Sequence, residues 1–255
     1  MNFVKYFIFS ISLATIISCS SVSEISLFEK KLYYKSGDEK IQLVPQDIKK
    51  TKNIHPVNIP SENIKGALRL ILVRDKRQSI PLFDEKKIVK FSIGISDALR
   101  DAKPNQDVVF TLEGWYKKKY IKENKVTSAR VFYNKSGLNI IFGSILRKGK
   151  IHETDALIRA AANEDTNINP YVPGSRINSI KNPFYLSAPP NSGVYRSREG
   201  RNRLDWLVFT SRALKPRAFI SDRDRQLAQQ SNIAVQNFRN ELNKLKAELR
   251  NVRNN

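Results

Sequence analysis

Apolar residues are distributed along this chain in three regimes: an unbroken run near the N-terminus, a central stretch dominated by period-two alternation, and a C-terminal segment with apolar residues every three or four positions. In the central stretch Leu68, Leu70 and Leu72 alternate with Arg69, Ile71 and Val73, which predicts a strand covered on both faces. Ile88, Phe91, Ser92, Ile95 and Leu99 then recur at helical spacing, with Asp84 placed to cap the first turn and Lys103-Pro104-Asn105 to end the helix. Gly94 inside that helix costs about 1 kcal/mol, so the helix depends on packing. Val108, Phe110 and Leu112 predict a strand, as do Ala129, Val131 and Tyr133. The latter is joined through Asn134-Lys135-Ser136-Gly137 to an apolar run over residues 138–142, a strong hairpin signal. Leu204, Trp206 and Val208 predict a last strand, and a short helix is expected around residues 153–163.

One strand, a helix and then consecutive hairpin-linked strands define an α+β fold, a mainly antiparallel sheet with a packed helix. The domain is expected over residues 66–211. Residues 19–65, broken by Pro45, Pro56 and Pro60, predict a tether, with a candidate hairpin formed by Leu32-Tyr33-Tyr34 and residues 41–44 around Gly37-Asp38. Within the domain, residues 166–203 carry five prolines and predict an irregular loop; connections of that length are functional or disordered. Tyr171, Phe184, Tyr185 and Tyr195 predict that parts of the loop pack, and Pro173-Gly174 predicts a type II turn. Residues 219–253 predict an amphipathic or coiled-coil helix, opened by Ser221 and Asp224 in a capping-box pattern. Val235, Phe238, Leu242, Leu245, Leu249 and Val252 alternate spacings of three and four along it. Such a helix serves self-association or partner docking, lies back on its own domain, or stands solvated.

The N-terminal run changes the picture. Lys5 precedes an uncharged stretch over residues 7–17, and Ile16-Ile17-Ser18-Cys19 follows, with Cys19 the single cysteine of 255 residues. A short positive lead, a brief apolar core and small residues at the cut have the shape of a secretory signal, too short to span a bilayer. The segment resembles the signal of bacterial lipoproteins, with Ile16, Ser18 and Cys19 at the lipobox positions and Ile17 bulkier than that pattern favours. The resemblance covers about twenty residues; the body resembles no known family. It implies removal of residues 1–18, diacylation of the Cys19 sulfur and attachment to the cell envelope, where two or three acyl chains anchor stably. Ser20 is not the aspartate of inner-membrane retention, which implies the outer membrane facing the periplasm in a Gram-negative cell. An ordinary signal peptide with an incidental Cys19 is the other reading of these residues.

Charge narrows the partners. Lys and Arg number 45 against 24 Asp and Glu, a net charge of +21, of which the signal holds only Lys5. Such a field attracts anions. Export argues against nucleic acid and leaves anionic lipid or acidic polysaccharide. Trp115, Lys117, Lys118 and Lys119, within Trp115-Tyr116-Lys117-Lys118-Lys119-Tyr120, are the candidate anionic-surface contact. The same residues also read as a hairpin loop with Trp115 on the core and solvated lysines. Arg196, Arg198, Arg201 and Arg203 form a second basic stretch.

Catalytic signals are sparse. His55 falls in the expected tether, and His152 begins His152-Glu153-Thr154-Asp155 without the paired-histidine spacing of a zinc site. There is no nucleophile elbow and no Gly-rich phosphate loop, so no cofactor and no metal are predicted. Asp97, Asp101 and Asp107 are the carboxylates from which a pair for hydrolysis would have to come. The expectation is a non-catalytic, lipid-anchored envelope protein. A binding module for anionic lipid or polysaccharide and an envelope hydrolase using carboxylates are the alternatives.

Overall fold

The structure, a computed structural model, describes residues 31–48, 52–75, 78–118, 121–149, 168–219 and 222–253. Cys19 with Ile16 and Ser18 of the expected lipobox, Lys119, Tyr120, His152, Ser221 and the helix expected around residues 153–163 lie outside the described residues.

In chain order the elements are β1 (Leu32–Ser36), β2 (Glu39–Pro45), α1 (Ser61–Leu68), β3 (Leu72–Asp75), β4 (Gln78–Pro81), α2 (Glu85–Asp101), β5 (Gln106–Lys118), β6 (Ile121–Asn134), β7 (Gly137–Lys148), β8 (Tyr185–Ser187), β9 (Val194–Arg196), β10 (Trp206–Phe209) and α3 (Asp222–Arg253). Seven strands form one antiparallel sheet in the order β1-β2-β5-β6-β7-β10-β9. A small second sheet has the order β4-β3-β8. The fold is α+β, as the pattern predicts.

Helix α2 forms where its signals place it. The Asp84 carboxylate accepts a hydrogen bond from the Lys87 amide at 2.9 Å, satisfying one of the free donors of the first turn. Its apolar stripe of Ile88, Phe91, Ile95 and Leu99 is buried on one face of the sheet. Phe91 meets the Phe110 ring edge-on at 5.7 Å. Gly94 allows the close approach: a Cβ there would stand 2.6 Å from Ile41 Cδ1 on β2. The β6–β7 hairpin also matches expectation. Gly137 takes φ +122°, and the Asn134 side chain accepts from the Ser136 amide at 2.9 Å.

Three expectations are corrected. Residues 32–45 form the hairpin expected there, but it does not belong to a tether: its second strand runs beside β5, from Lys40 opposite Thr111 to Pro45 opposite Gln106. Ile41 and Leu43 are buried there, so the segment is part of the core rather than a spacer. Residues 68–73 are not one strand: Leu68 ends α1, and only Leu72 and Val73 enter β3. A short buried helix running directly into a buried strand produces the same two-sided apolar run as a covered strand. Finally, Gly174 does not take the positive φ that a type II turn demands. Its role is proximity, since a Cβ there would overlap the Ile141 carbonyl oxygen.

The two faces of the large sheet differ in chemistry. On the α2 face Ile41, Val108, Phe110, Val131, Ile140, Phe142 and Phe209 build the main core. The alternate positions face the segment from residue 168 to 203, which folds back over the sheet and contributes β8 and β9. There a small apolar cluster of Phe132, Ile141, Trp206 and Val208 lies beside a buried polar network.

Candidate functional site

The polar network begins at Asp107, the second residue of β5, which is 0% exposed. Arg130 on β6 donates to it at 2.6 Å, and Asn53 donates at 2.8 Å. Arg176, from the covering segment, grips both carboxylate oxygens at 2.6 and 2.8 Å and reaches Asp47 at 2.5 Å. The Arg176 guanidinium carbon lies 3.6 Å from the centre of the Phe132 ring, so the cation is also stacked. Two carboxylates are thus matched by two guanidiniums with their hydrogen bonds filled, the condition under which buried charge is tolerated. Burial pushes the Asp47 carboxyl up, but Arg130 and Arg176 outweigh it and hold the group below its usual value. Burial likewise disfavours the Arg176 cation, and Asp107 and Asp47 reverse that, raising its pKa.

Of the carboxylates weighed for hydrolysis, Asp107 is therefore occupied in holding the chain together. Asp97 pairs with Arg100 at 2.8 Å near the surface. Asp101 accepts from Lys31 at 2.6 Å and from the Tyr33 hydroxyl at 3.0 Å, and these bonds lower its pKa. Asp97 and Asp101 stand one turn apart on α2 and share Arg100, each held by a cation, whereas Asp107 belongs to the separate buried network. His55, placed by sequence in a tether, is only 5% exposed, and its Nε2 accepts from the Tyr133 amide at 3.0 Å. Burial lowers its pKa against the pull of Asp107, so the ring is held neutral. Among the described residues no cluster of three or more His, Cys, Asp or Glu side chains is arranged to hold a metal.

The expected surface contact lies at the far end of the β5–β6 hairpin. Trp115 is opposite Asn124, Lys117 opposite Lys122 and Lys118 opposite Ile121, with Lys119 outside the described residues. The lysines thus gather at the distal end of an extended two-stranded ribbon, where both chains carry positive charge.

The second basic stretch divides by role. Arg203 chelates Asp205 at 2.7 Å and 2.9 Å, and donates to the carbonyls of Ser175 and Asn178. Arg196 donates to the Leu186 carbonyl at 2.9 Å, and burial lowers its pKa. These two arginines hold the segment folded. Arg198 and Arg201 point outward on a knob in which Arg201 and Asn202 both take positive φ. Beneath the knob an open cleft of about 650 Å³ runs along β9, lined by Ser136, Tyr195, Arg196, Arg198, Glu199 and Asn202 among others. It presents hydroxyl, amide and guanidinium groups with one carboxylate, and Glu199 is engaged by the Asn134 amide at 3.2 Å. The arginines were visible in the sequence; the cleft was not, because Ser136 and Tyr195 meet only through β7 and β10.

Among the described residues no helix is long and apolar enough to cross a membrane. Comparison with known protein families, curated proteins and solved structures finds no match.

Proposed function

We propose that this chain is a non-catalytic, lipid-anchored cell-envelope protein whose basic α+β domain faces the periplasm and serves in envelope interactions or assembly. The observation that carries the reading is the sequence Ile16-Ile17-Ser18-Cys19 after Lys5 and a short apolar run. The chemistry of the domain supports a scaffold role. Asp107, Arg130 and Arg176 are consumed in clamping the 168–203 segment to the sheet, and the chain carries a net charge of +21. In this reading Cys19 carries acyl chains that hold the domain to the membrane, and the outer membrane is its place in a Gram-negative cell. The test is fractionation. Wild-type protein stays in the membrane pellet after alkaline carbonate washing and has an intact mass exceeding that of the chain from Cys19 by a lipid group bearing two or three acyl chains. Cys19→Ser protein is released. An unmodified mass, or a Cys19→Ser variant retained as tightly as wild type, refutes the proposal.

A second reading is favoured by the cleft beneath the knob. Arg198 and Arg201 are exposed and enter no ion pair among the described residues. Together with the lysine-bearing hairpin end they suit a polyanion, either lipid headgroups or acidic polysaccharide. Vesicle binding that rises with anionic lipid content and is screened by salt supports this module. Binding unchanged by salt, or by Arg198→Ala/Arg201→Ala and Lys117→Ala/Lys118→Ala/Lys119→Ala variants, rules it out.

A further inference from the structure

Helix α3 spans 32 residues, about 48 Å at 1.5 Å per residue. Every residue from 234 to 250 is exposed, including Val235, Leu242, Leu245, Phe238 (68%) and Leu249 (69%). These are the residues that an amphipathic helix ordinarily buries, and the domain does not cover them. Five large apolar side chains on one stripe of a solvated helix form a seam without its partner.

The heptad frame fixes what that partner is. With Val235, Leu242 and Leu249 at position a, Phe238 and Leu245 fall at d. The flanking e positions are then Arg239, Lys246 and Arg253, and the g positions with charge are Glu241 and Glu248. One side of the seam is wholly basic and the other acidic. In a parallel pair each g residue faces the e residue five positions later on the neighbouring helix. That rule sets Glu241 against Lys246 and Glu248 against Arg253, each pair occurring twice by symmetry. In an antiparallel pair g faces g and e faces e, placing Glu against Glu and Lys or Arg against Arg. Within one helix Glu241, Lys246 and Glu248 form no ion pair among the described residues, so the charges are available to a neighbour.

We infer that α3 associates with α3 of a second copy of this chain as a parallel, in-register coiled coil. The pattern is self-complementary in that orientation alone. A different helix as partner would have to duplicate both the apolar stripe and the charge sequence that this chain already carries. The inference rests on α3 and stands independently of the lipid anchor.

The test separates orientation from mere proximity. Cys19 is the only native thiol, so Cys19→Ser supplies a background in which an introduced cysteine is the sole one. Val235→Cys and Leu249→Cys lie at opposite ends of the seam, 14 residues or about 21 Å apart. In a parallel in-register pair each faces its own copy, and mild oxidation yields disulfide-linked dimer for both variants. An antiparallel pair separates like positions and gives none. Asn240→Cys, on the outer face, is the control for random collision. Sedimentation analysis adds the charge test: Glu241→Lys weakens association on the order of tenfold, and Glu241→Lys/Lys246→Glu restores it by exchanging the pair. Cross-linking of Val235→Cys and Leu249→Cys no faster than Asn240→Cys overturns the inference. So does a charge exchange that fails to rescue. Because the reported residues are exposed in the single chain, failure of these variants to fold is detected separately by circular dichroism.

Discussion

Replacing Asp107 by Asn tests the clamp that joins the covering segment to the sheet. The substitution keeps the side-chain volume, so no cavity is created and the effect is electrostatic. It turns an acceptor for four hydrogen bonds, from Arg130, Arg176 and Asn53, into a neutral amide whose NH2 group faces guanidinium donors. Two buried cations are then left with Asp47 as their sole carboxylate. Removing one partner from a buried ion-pair network costs about 3–5 kcal/mol. At roughly 2–4 °C per kcal/mol for a domain of this size, the midpoint of thermal unfolding falls by about 10 °C. Asp97→Asn is the internal reference: that pair with Arg100 is exposed and contributes at most about 1 kcal/mol. A double-mutant cycle of Asp107→Asn with Arg176→Met, followed by chemical denaturation, is expected to give a coupling above about 1 kcal/mol. Limited trypsin digestion reads the same clamp locally, since Lys181 becomes an early cleavage site once Arg176 no longer ties its segment to Asp107. If Asp107→Asn proves no more destabilising than Asp97→Asn, the network is not what holds the segment and the reasoning fails.

Three further outcomes follow from the same packing. His55 has a folded-state pKa below the ordinary 6.5, so its contribution is present above that pH and is lost as pH falls below it, because the unfolded chain binds the proton first. His55→Gln is therefore expected to flatten the decline of melting temperature as pH falls below 6.5, and an unchanged slope counts against this assignment. Asp47, depressed by its arginines, contributes stability above the ordinary 3.8 that disappears as pH drops through its lower folded value; Asp47→Asn removes this second, more acidic loss from pH titrations of unfolding. Gly174→Ala and Gly94→Ala separate two kinds of close approach. The first drives a Cβ into the Ile141 backbone and costs about 1–3 kcal/mol, whereas the second displaces only the terminal methyl of buried Ile41 and sets that cost against about 1 kcal/mol of helix propensity, so Gly174→Ala should be the more destabilising in denaturant midpoint.

The parts of this fold legible in the sequence are those whose cause is local. Asp84 caps α2 three residues before the amide it satisfies, and Gly137 sits in the turn its φ demands. Period-two alternation located β5 and β6, and the turn at residues 134–137 with the apolar run after it located β7, although β5 and β6 run further than their apolar cores, through Lys118 and from Ile121. Where two local causes meet, as at Leu68 to Val73, the pattern fused a helix end and a strand into one element. The second face of the sheet was hidden for a different reason. Asp107, Thr111, Arg130 and Asn139 occupy alternate strand positions and read as a solvated face, yet all are buried. What buries them is a segment whose key residue, Arg176, is 69 positions from Asp107 and is one arginine among many. No spacing rule links them. His55 was misplaced for the same reason, its burial being supplied by β6 through Tyr133. In the basic stretch, side-chain identity could not separate Arg196 and Arg203, which donate to backbone carbonyls, from Arg198 and Arg201, which do not.

The proposed anchor and the helix would constrain each other physically. The seam of α3 holds fewer than three heptads of large apolar residues, and isolated helices of that length associate weakly in free solution. Acyl chains on Cys19 would place every copy in one membrane with the same end of the chain attached, which favours parallel over antiparallel meeting of their C-terminal helices. Confinement to a surface also converts association from a three-dimensional encounter into one at raised effective concentration, which can strengthen a weak contact by orders of magnitude without any new interaction. The charge order along α3, Glu241 before Lys246 and Glu248 before Arg253, suits that same orientation. The expected consequence is that Val235→Cys cross-links more completely in membranes, with Cys19 acylated, than in the detached Cys19→Ser chain at equal total protein. Equal cross-linking in the two settings would mean that the anchor contributes nothing to assembly, whereas loss of cross-linking in membranes would mean that the anchored domains hold the helices apart.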